Sequence, residues 1–338
     1  MLGCYVVSAL AEPARLGSIG LGWWGGVLAD GATSSGSAEI VACFARSPEA
    51  RQQFADERGC QPFNTLEDFL ASDLDGVLIA TPHTTHADLV VAAAKAGRHV
   101  FVDKPLALTV SESDRAIAAT ERAGVVLQVG HNRRRQAANR RIKELIATGE
   151  LGAPLEISST HAAPLLFNPN LAQWRRRLEE TPVGGMAALG VHQVDTFHYL
   201  VGPVEGVFAR STRLLLEGEV DDTSTVLFQF ESGVQGQLFT SMATGPAVEV
   251  TVHGTEAIAR NTGDGARLTL QRRGSTEMEE QSLELVDTIA DQLAEFAAAI
   301  RGEGKPETDG VEARKTVAVL EAIVESAAGN RWVEVDYG

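Results

Sequence analysis

A regular alternation of buried-strand and helical segments through the first 130 residues constrains the fold more than any other feature. Short apolar runs rich in β-branched residues lie at 16–19, 39–44, 76–80, 100–103 and 125–129. Helical stretches separate them, at 48–58, 86–96 and 111–123. Runs that are apolar throughout are typical of strands buried on both faces, and strand–helix–strand units place successive strands in parallel. The pattern predicts an α/β fold with a doubly wound parallel sheet.

A glycine turn lies between the first strand and the first helix and reads Gly20-Leu21-Gly22-Trp23-Trp24-Gly25. In a G-x-G-x-x-G pattern the first glycine permits a tight turn and the second lets the backbone approach a pyrophosphate. The third lets the helix pack closely on the strand. Six-residue matches arise by chance in a glycine-rich chain, but this one falls where a strand turns into a helix. These six residues therefore predict a dinucleotide-binding site.

The second strand ends at Ala45-Arg46-Ser47, about twenty residues after the glycine turn. An acidic residue there binds the ribose 2′-hydroxyl of NAD, whereas an Arg accommodates a 2′-phosphate. No acid is present at these three positions, so the sequence favours NADP slightly over NAD. The alternative is that Arg46 stacks on the adenine or is solvated.

The second half of the chain has longer segments in which apolar and polar residues alternate, at 155–161, 206–215, 223–230, 233–240, 247–253 and 266–272. Such alternation is typical of strands with one covered face, which predicts an open, largely antiparallel sheet. Two helices at 288–301 and 311–328 and a short strand at 332–335 end the chain. We predict an N-terminal arm at 1–14, a dinucleotide-binding domain at 15–131 and a substrate-binding and oligomerisation domain at 132–338. The final helix and strand are expected to be able to pack back on the first domain.

Charge and cysteine usage restrict the partners and the location. The formal net charge of −16 opposes binding to nucleic acid or an anionic membrane, since both need a basic surface. Cys4, Cys43 and Cys60 lack metal-ligand or redox spacing, so we expect no metal site and a reducing, cytoplasmic location. Residues 1–14 faintly resemble a secretory leader but lack its basic start, and no apolar run approaches the roughly 20 residues of a membrane helix.

Two motifs are candidates for the chemistry. Asp103-Lys104-Pro105 follows a strand end, the edge of an open α/β sheet where ligands bind, and Lys104 there can donate to a substrate oxygen. His192 and Asp195 follow a glycine pair at 184–185 and share one helix face, so His192 can accept a proton while Asp195 orients it. The alternatives are a surface lysine beside a turn proline and a structural His–Asp pair.

Arginines flank the expected pocket in two runs, His131-Asn-Arg-Arg-Arg135 and Trp174-Arg-Arg-Arg177. If Arg134 and Arg175 point inward, they bind a substrate carboxylate, because a guanidinium holds a carboxylate bidentately. We accordingly include Arg134, Trp174, Arg175 and Asp195 among the candidate substrate-binding residues. The alternative is that both runs are solvated.

The order and spacing of several motifs resemble the glucose–fructose oxidoreductase, inositol dehydrogenase and rhizopine-catabolism (Gfo/Idh/MocA) family, from Arg15 to Val335. They are the glycine turn, Thr81-Pro-His-Thr-Thr-His86, Gly97-Arg-His-Val-Phe-Val-Asp-Lys-Pro105, Gly184-Gly-Met-Ala-Ala-Leu-Gly-Val-His-Gln-Val-Asp195 and Ala328-Gly-Asn-Arg-Trp-Val-Glu334. The resemblance implies a Rossmann domain, a second α/β domain whose open sheet forms oligomer contacts, and NAD(P)-linked chemistry on a hydroxyl or carbonyl group.

Carried over residue by residue, the resemblance makes Lys104 the lysine that contacts the reacting oxygen and His192 the acid/base. Thr81 and Pro82 match the segment that lines the nicotinamide ribose, His86 matches a structural histidine, and His83 and Asp103 join this cofactor-lining set. Two positions depart from the family. Asp103 stands where the family has Glu, and Ala188 stands where the polyol enzymes often have Asp, which puts an inositol-type substrate in doubt.

The function predicted is an NAD(P)-dependent oxidoreductase acting on a sugar, a cyclitol, or a carboxylated dihydrodiol- or semialdehyde-derived compound. Residues 132–338 are expected to form a homodimer or homotetramer. Two alternatives stay open: a dinucleotide-sensing regulatory protein without turnover, and a redox-neutral enzyme that recycles a tightly held nicotinamide. Detectable dehydrogenase activity excludes the regulatory alternative. Cofactor that is retained through purification, with no net change in nicotinamide absorbance during turnover, identifies the redox-neutral enzyme.

Overall fold

The computed structural model describes residues 12–215 and 217–338, and most of the predicted N-terminal arm lies outside these residues. The first domain is built from a six-stranded sheet and flanking helices. Its elements are β1 (Ala14–Ile19), α1 (Trp23–Ser34), β2 (Ala38–Phe44), α2 (Pro48–Arg58), β3 (Gln61–Phe63), α3 (Leu66–Ala71), β4 (Gly76–Ile79), α4 (His86–Lys95), β5 (His99–Val102), α5 (Val110–Ala123) and β6 (Leu127–Val129).

The second domain is built on a nine-stranded sheet. Its elements, together with the last two helices, are α6 (Ala137–Ala147), β7 (Pro154–Ala162), α7 (Val191–Val201), β8 (Val204–Thr212), β9 (Thr223–Phe230), β10 (Gln235–Ser241), β11 (Ala247–Gly254), β12 (Ala257–Thr262), β13 (Arg267–Arg272), β14 (Glu279–Gln281), α8 (Thr288–Ile300), α9 (Gly310–Gly329) and β15 (Val333–Glu334).

The first sheet is parallel throughout and has the strand order β3-β2-β1-β4-β5-β6. The order reverses beside β1, so a crevice opens between the carboxyl ends of β1 and β4, where α/β sheets of this kind bind nucleotides. The predicted doubly wound sheet is confirmed. The prediction missed β3, because an edge strand of three residues that includes Pro62 carries no buried apolar run.

The second sheet has the order β14-β13-β12-β11-β7-β10-β9-β8-β15 and is antiparallel except where β10 pairs with β7. Its strands alternate buried and exposed residues, and helices α6, α7 and α9 pack on one face. This confirms the predicted open, largely antiparallel sheet. Strands β12 and β14 were missed, since β12 mixes alanines with polar residues and β14 is a short charged edge strand.

Helix ends follow local capping chemistry. Ser47, Thr109 and Asp309 each accept a hydrogen bond from a backbone N–H in the first turn of α2, α5 and α9 respectively. Gly59 and Gly124 end α2 and α5 in the left-handed conformation that glycine adopts most easily. None of the helices within 12–215 and 217–338 is long and apolar enough to cross a membrane.

The last elements of the chain connect the two domains. Helix α8 packs against α1 of the first domain, and α9 contacts both α5 and β8. The last helix thus packs on the first domain through α5, while the final strand β15 pairs with β8 of the second domain, with Val333 opposite Val207. The predicted boundary after residue 131 falls between β6 and α6.

Candidate active site

The glycine turn forms an open backbone cradle at the carboxyl end of β1. Gly20 has φ +89, and a Cβ on it would lie 2.5 Å from the Ala80 carbonyl oxygen. A Cβ on Gly25 would lie 2.0 Å from the Gly20 carbonyl oxygen, whereas a Cβ on Gly22 meets nothing within 4 Å. The first and third glycines are therefore required by the protein itself. The second faces open space at the N-terminus of α1, as a site for a pyrophosphate requires.

The other residues of the turn have different surroundings. Leu21 packs with Phe54 in a small apolar cluster, and Trp24 packs against the core beneath α1. Trp23 is 80% exposed, with its ring centroid 5.5 Å from that of Trp24. The backbone and the exposed Trp23 ring are therefore the parts of this turn that are open to a ligand.

Arg46, just after the end of β2, is a cation without a charged partner among the described residues. Arg46 is exposed and makes no hydrogen bond or ion pair with any residue that the structure describes, and Ala45 lies beside it. The Ser47 hydroxyl accepts from Ala50 N at 3.2 Å and donates to Glu49 Oε2 at 2.8 Å. Ser47 is thus engaged as the cap of α2, and Arg46 is the side chain available for a phosphate.

The loop after β4 is fixed by buried histidines. His86 places Nδ1 2.8 Å from the Pro105 carbonyl oxygen and Nε2 3.0 Å from the Thr81 carbonyl oxygen. His83 Nδ1 lies 2.7 Å from the Glu180 carbonyl oxygen. His86 therefore ties the segment at Thr81 and Pro82 to the residue after Lys104, and His83 ties it to the second domain.

Lys104 follows β5 and points across the domain interface. It is 5% exposed, and its Nζ donates to the Ala188 carbonyl oxygen at 2.7 Å. The peptide bond between Lys104 and Pro105 is cis. Burial lowers the pKa of Lys104 to about 8, although the Asp103 carboxylate opposes the shift. The ammonium is therefore mostly protonated at neutral pH and able to exchange its proton near that pH.

A π-helical turn at Met186–Gly190 directs the Ala188 carbonyl toward Lys104 just before α7 begins. Gly184 precedes it with φ +56, and a Cβ there would lie 2.4 Å from the Asp221 carbonyl oxygen. Such interruptions of regular helix are frequent at functional sites. The turn leaves His192 in the first turn of α7, on the same side as Lys104.

His192 is held neutral. Desolvation lowers its pKa well below the usual value, and the positive charges of Lys104 and Arg133 lower it further. Its Nδ1 has no hydrogen-bond partner in the described part of the chain. His192 therefore offers a neutral ring with an unengaged nitrogen, which suits proton transfer.

Two further histidines belong to the site and were not predicted. The His161 ring centroid, at the end of β7, lies 5.7 Å from that of His192, and its Nδ1 is 3.2 Å from Gln193 Nε2. His131 follows β6 and is 2% exposed, with neither ring nitrogen hydrogen-bonded to any described residue. The position of His131 after a core strand was a usable signal, whereas nothing in the sequence singles out His161.

Arg134 and Asp195 bind each other. Arg134 Nε lies 3.0 and 2.9 Å from the two Asp195 oxygens, both side chains are buried, and Glu312 lies 3.4 Å away on α9. Burial alone would raise the pKa of Asp195, but His131 and Arg134 hold it below the usual value. The prediction that both contact substrate stays a prediction. The geometry shows a buried pair that joins three elements.

The remaining arginines differ in their engagement. Arg133 forms a bidentate ion pair with Asp264, and Arg135 pairs with Asp291 and Glu295. Arg175 stacks on Trp174 with its Cζ 4.3 Å from the ring centre and makes no ion pair with a described residue. Trp174 in turn packs edge-on against His83 at 5.0 Å. Of the arginines in the two runs, Arg175 is the one that joins the site from the second domain without an acidic partner.

Together these features define a nicotinamide-dependent oxidoreductase: a dinucleotide cradle on a Rossmann sheet, beside a buried lysine and a neutral histidine. Within the described ranges, no group of three His, Cys, Asp or Glu side chains is arranged to hold a metal ion. The candidate site lies where the two domains meet, since Lys104 at the end of β5 contacts the Ala188 carbonyl oxygen of the second domain.

Comparison with known proteins gives the family. Residues 14–131 match the oxidoreductase family with an NAD-binding Rossmann fold, and residues 139–260 match the GFO/IDH/MocA C-terminal domain. The chain therefore belongs to the Gfo/Idh/MocA family of oxidoreductases, as the sequence motifs indicated.

Individual relatives match over most of the chain. It is 31% identical over 317 residues to the 1,5-anhydro-D-fructose reductase of Ensifer adhaerens, covering 91% of this chain and 94% of the relative. It is 32% identical over 322 residues to the D-apiose dehydrogenase of Paraburkholderia graminis, covering 88% and 83%. The WlbA dehydrogenase from Bordetella pertussis, solved with NADH and UDP-GlcNAcA, superposes with a TM-score of 0.84 at 28% identity, covering 96% and 99%.

Proposed function

We propose that Lys104 and His192 are the catalytic residues of a dehydrogenase or reductase that acts on a hydroxyl or carbonyl group of a small polar substrate. The observation that carries this proposal is the buried Lys104 ammonium, hydrogen-bonded to the Ala188 carbonyl oxygen beside a neutral His192. Lys104 lies at the carboxyl edge of the sheet that carries the glycine cradle, and His192 lies in the first turn of α7 in the second domain.

The cradle fits a dinucleotide, because Gly22 opens on free space at the start of α1 while Gly20 and Gly25 are closed by backbone. Bound nicotinamide supplies the acceptor or donor of hydride. We propose that three groups of residues hold the cofactor. They are Gly20, Leu21, Gly22, Trp23, Trp24 and Gly25 at the pyrophosphate, Ala45, Arg46 and Ser47 at the adenosine ribose, and Thr81, Pro82, His83, His86, Asp103 and Lys104 toward the nicotinamide.

Lys104 polarises the reacting oxygen. One of the three ammonium donors is engaged with the Ala188 carbonyl, so two remain for the substrate. Burial strengthens the interaction of this charge with an oxygen that becomes negative during the reaction, because the site has a lower dielectric than water. Since Lys104 lies between fixed neighbours, the ammonium needs little reorganisation as that charge develops.

His192 moves the proton. Its neutral ring accepts the hydroxyl proton during oxidation and returns it during reduction. The Arg134–Asp195 pair fixes the helix on which His192 lies, because Asp195 is three residues further along α7 and its carboxylate is held by Arg134. We assign this pair a positioning role.

The substrate candidates are a sugar or cyclitol and a carboxylated compound. The names of the two curated relatives, an anhydrofructose reductase and an apiose dehydrogenase, support a sugar-like substrate. Arg175 supports a substrate that also carries a carboxylate, because its guanidinium lies near Lys104 without an ion-pair partner among the described residues. The Arg175→Gln variant distinguishes these two substrate classes. It should bind a carboxylated substrate more weakly than the wild type does, and bind an uncharged sugar or cyclitol equally well.

The proposal extends to the cofactor preference, the oligomeric state and the cellular location. Arg46, free at the end of β2, supports a slight preference for NADP over NAD. The open face of the second sheet supports a homodimer or homotetramer. Cys43 and Cys60, which form no disulfide, support a cytoplasmic location.

The test is Lys104→Ala assayed with a sugar, polyol and dihydrodiol panel. The variant should lose at least about a hundredfold in kcat, the low end of general acid–base contributions, and still bind NAD(P)H. Lys95→Ala, an exposed lysine on α4, is the matched control. Near-normal turnover by Lys104→Ala contradicts the assignment. A wild-type protein that binds cofactor and turns nothing over supports the regulatory alternative instead.

A further inference from the structure

The loop between β4 and α4 is held from the second domain by Glu180. The Glu180 carboxylate accepts hydrogen bonds from Thr84 N at 3.1 Å and from Thr84 Oγ1 at 2.6 Å. The backbone carbonyl oxygen of the same residue lies 2.7 Å from His83 Nδ1. Because a carbonyl oxygen only accepts, His83 carries a proton on Nδ1. Glu180 thus makes three hydrogen bonds to two successive residues of the loop.

Glu180 lies in a segment that is itself fixed. It is 4% exposed, and the buried Thr181 hydroxyl next to it donates to a backbone carbonyl four residues earlier at 2.9 Å. In the same segment the Trp174 ring packs edge-on against His83, with centroids 5.0 Å apart. A carboxylate taken out of water needs hydrogen bonds to offset the cost, and Thr84 supplies two of them. The contact is therefore a built connection between the domains.

The loop connects this contact to Thr81 and Pro82, which are partly exposed. Residues His83–Thr85 form a short 3₁₀ turn, and the Thr85 hydroxyl donates to the Pro82 carbonyl oxygen at 2.7 Å. The hydroxyls of Thr81 and Thr85 are also 2.7 Å apart. Thr81 borders the glycine cradle, because a Cβ on Gly20 would lie 2.8 Å from Thr81 N. A displacement of the turn therefore displaces the segment beside the cradle.

We propose that Glu180 is a positioning residue for the nicotinamide end of the cofactor. It holds the 3₁₀ turn, and through that turn Thr81 and Pro82, in the place where they line the nicotinamide. The inference rests on the proposed function, which gives Thr81 and Pro82 that role. The hydrogen bonds of Glu180 go to the loop after β4, not to the glycine cradle or the end of β2, where the adenosine end lies. The second domain therefore strengthens binding of one end of the dinucleotide and leaves the other end unaffected.

The experiment compares each cofactor with the same molecule without nicotinamide: NADPH with 2′-phospho-ADP-ribose, and NADH with ADP-ribose. Calorimetry measures the dissociation constants, so neither substrate nor turnover is needed. Glu180→Ala removes the carboxylate, and the loop loses two of its three hydrogen bonds to this residue. The variant should raise the dissociation constant of the better-bound cofactor roughly 5- to 100-fold, the effect of leaving hydrogen-bond partners unpaired. The dissociation constant of the nicotinamide-free analogue should stay unchanged.

Two conservative variants weaken the contact in smaller steps. Glu180→Gln keeps one acceptor oxygen for Thr84, and Thr84→Val removes the hydroxyl while keeping the side-chain volume. Each should weaken cofactor binding relative to the wild type, but less than Glu180→Ala does, and they replace that variant if it does not fold. Glu179→Ala is the matched control, since Glu179 is exposed and pairs with the exposed Arg177. It should leave all dissociation constants unchanged.

The two dissociation constants separate a positioning role from a merely structural one. Equal losses for the cofactor and its nicotinamide-free analogue mean that Glu180 supports the fold alone. Unchanged affinities mean that the loop keeps its place without Glu180. Either result overturns the inference and leaves the proposed function intact. A wild-type protein that binds neither NADPH nor NADH overturns the proposed function, and the inference with it.

Discussion

Burial sets the pKa of Lys104, whose hydrogen-bond partner is a backbone carbonyl rather than a carboxylate. A carboxylate next to the ammonium would stabilise its charge and keep the pKa high. With Ala188 there, the partner is a neutral carbonyl oxygen at 2.7 Å, and burial brings the pKa of Lys104 down to about 8. Burial therefore moves the pKa of Lys104 closer to neutral pH than that of an exposed lysine.

The rate of carbonyl reduction should fall as pH rises through about 8, because protonated Lys104 is the form that donates to the developing oxyanion. The charges acting on the ammonium come from Asp103, which favours protonation, and from Arg175 and Arg133, which oppose it. In Lys104→Arg the side chain stays charged, so the falling limb should move to much higher pH. The measurement is kcat/KM against pH for both proteins, and an unchanged limb in Lys104→Arg assigns the titration to another group.

Arg46→Ala should weaken NADPH binding by about 1.5–3 kcal/mol, the contribution of hydrogen bonds to a charged group, and leave NADH binding unchanged. The reason is that Arg46 is exposed and unpaired at the end of β2, while the neighbouring Ser47 hydroxyl is engaged with Ala50 and Glu49. Fluorescence titration with both cofactors checks this. Equal losses for the two cofactors would mean that Arg46 stacks on the adenine.

Sequence predicted Lys104 and His192 as catalytic residues because each lies in a local motif at a strand or helix end, and the structure places Lys104 against the backbone just before the helix of His192. It did not identify the Arg134–Asp195 pair as a mutual contact, since those residues are 61 positions apart and only the tertiary fold brings them together. His161 was missed for the same reason, whereas His131 was missed although its position after a core strand was a usable signal. Their significance comes from the neighbours that surround them, and a single sequence does not show neighbours.

At the level of elements, the glycines at the start of α1 have two different roles. Gly20 and Gly25 are needed for the fold, whereas Gly22 leaves room for the ligand. Gly20→Ala should lose roughly 1–3 kcal/mol of stability or more, because φ is +89 and the new Cβ would meet Ala80 backbone at 2.5 Å. Gly22 has φ −76 and an open position, so Gly22→Ala should keep the wild-type Tm. It should weaken NAD(P)H binding by about 1–3 kcal/mol, since the added methyl group enters the contact with the pyrophosphate. Thermal unfolding and cofactor titration on both variants check the pair, and a loss of Tm without loss of affinity in Gly22→Ala contradicts it.

Elements with strong periodicity were predicted nearly to the residue, whereas short edge strands were not. Helix α2 was expected at 48–58 and is Pro48–Arg58, because Ser47 caps it and Gly59 ends it. Strands β3 and β14 pair on one side only and need no apolar run. The π-helical turn at Met186–Gly190 has no sequence signature, since its extra residue is accommodated by packing against β7 and β10.

In the whole molecule, α9 joins the parts that the sequence presents as separate domains. It contacts α5 on one side and β8 on the other, while Glu312 in its first turn reaches Arg134 beside the active site. The candidate site is shared between the domains, with Lys104 from the first and His192 from the second. Because α9 contacts both domains, we expect the relative position of Lys104 and His192 to depend on residues more than a hundred positions from either group.

The outer face of the second sheet should form the contact between subunits. Leu227 on β9 is 49% exposed and Phe239 on β10 is 36% exposed, and both lie on the face opposite the helices. Leu227→Glu places a charge in that contact and should convert the homo-oligomer to monomer, because burying an unpaired carboxylate costs several kcal/mol. Light scattering after size-exclusion chromatography measures the mass. Leu285→Glu, at an exposed leucine before α8, is the control and should keep the wild-type mass. An unchanged mass for Leu227→Glu, or a monomeric wild type, excludes this face as the interface.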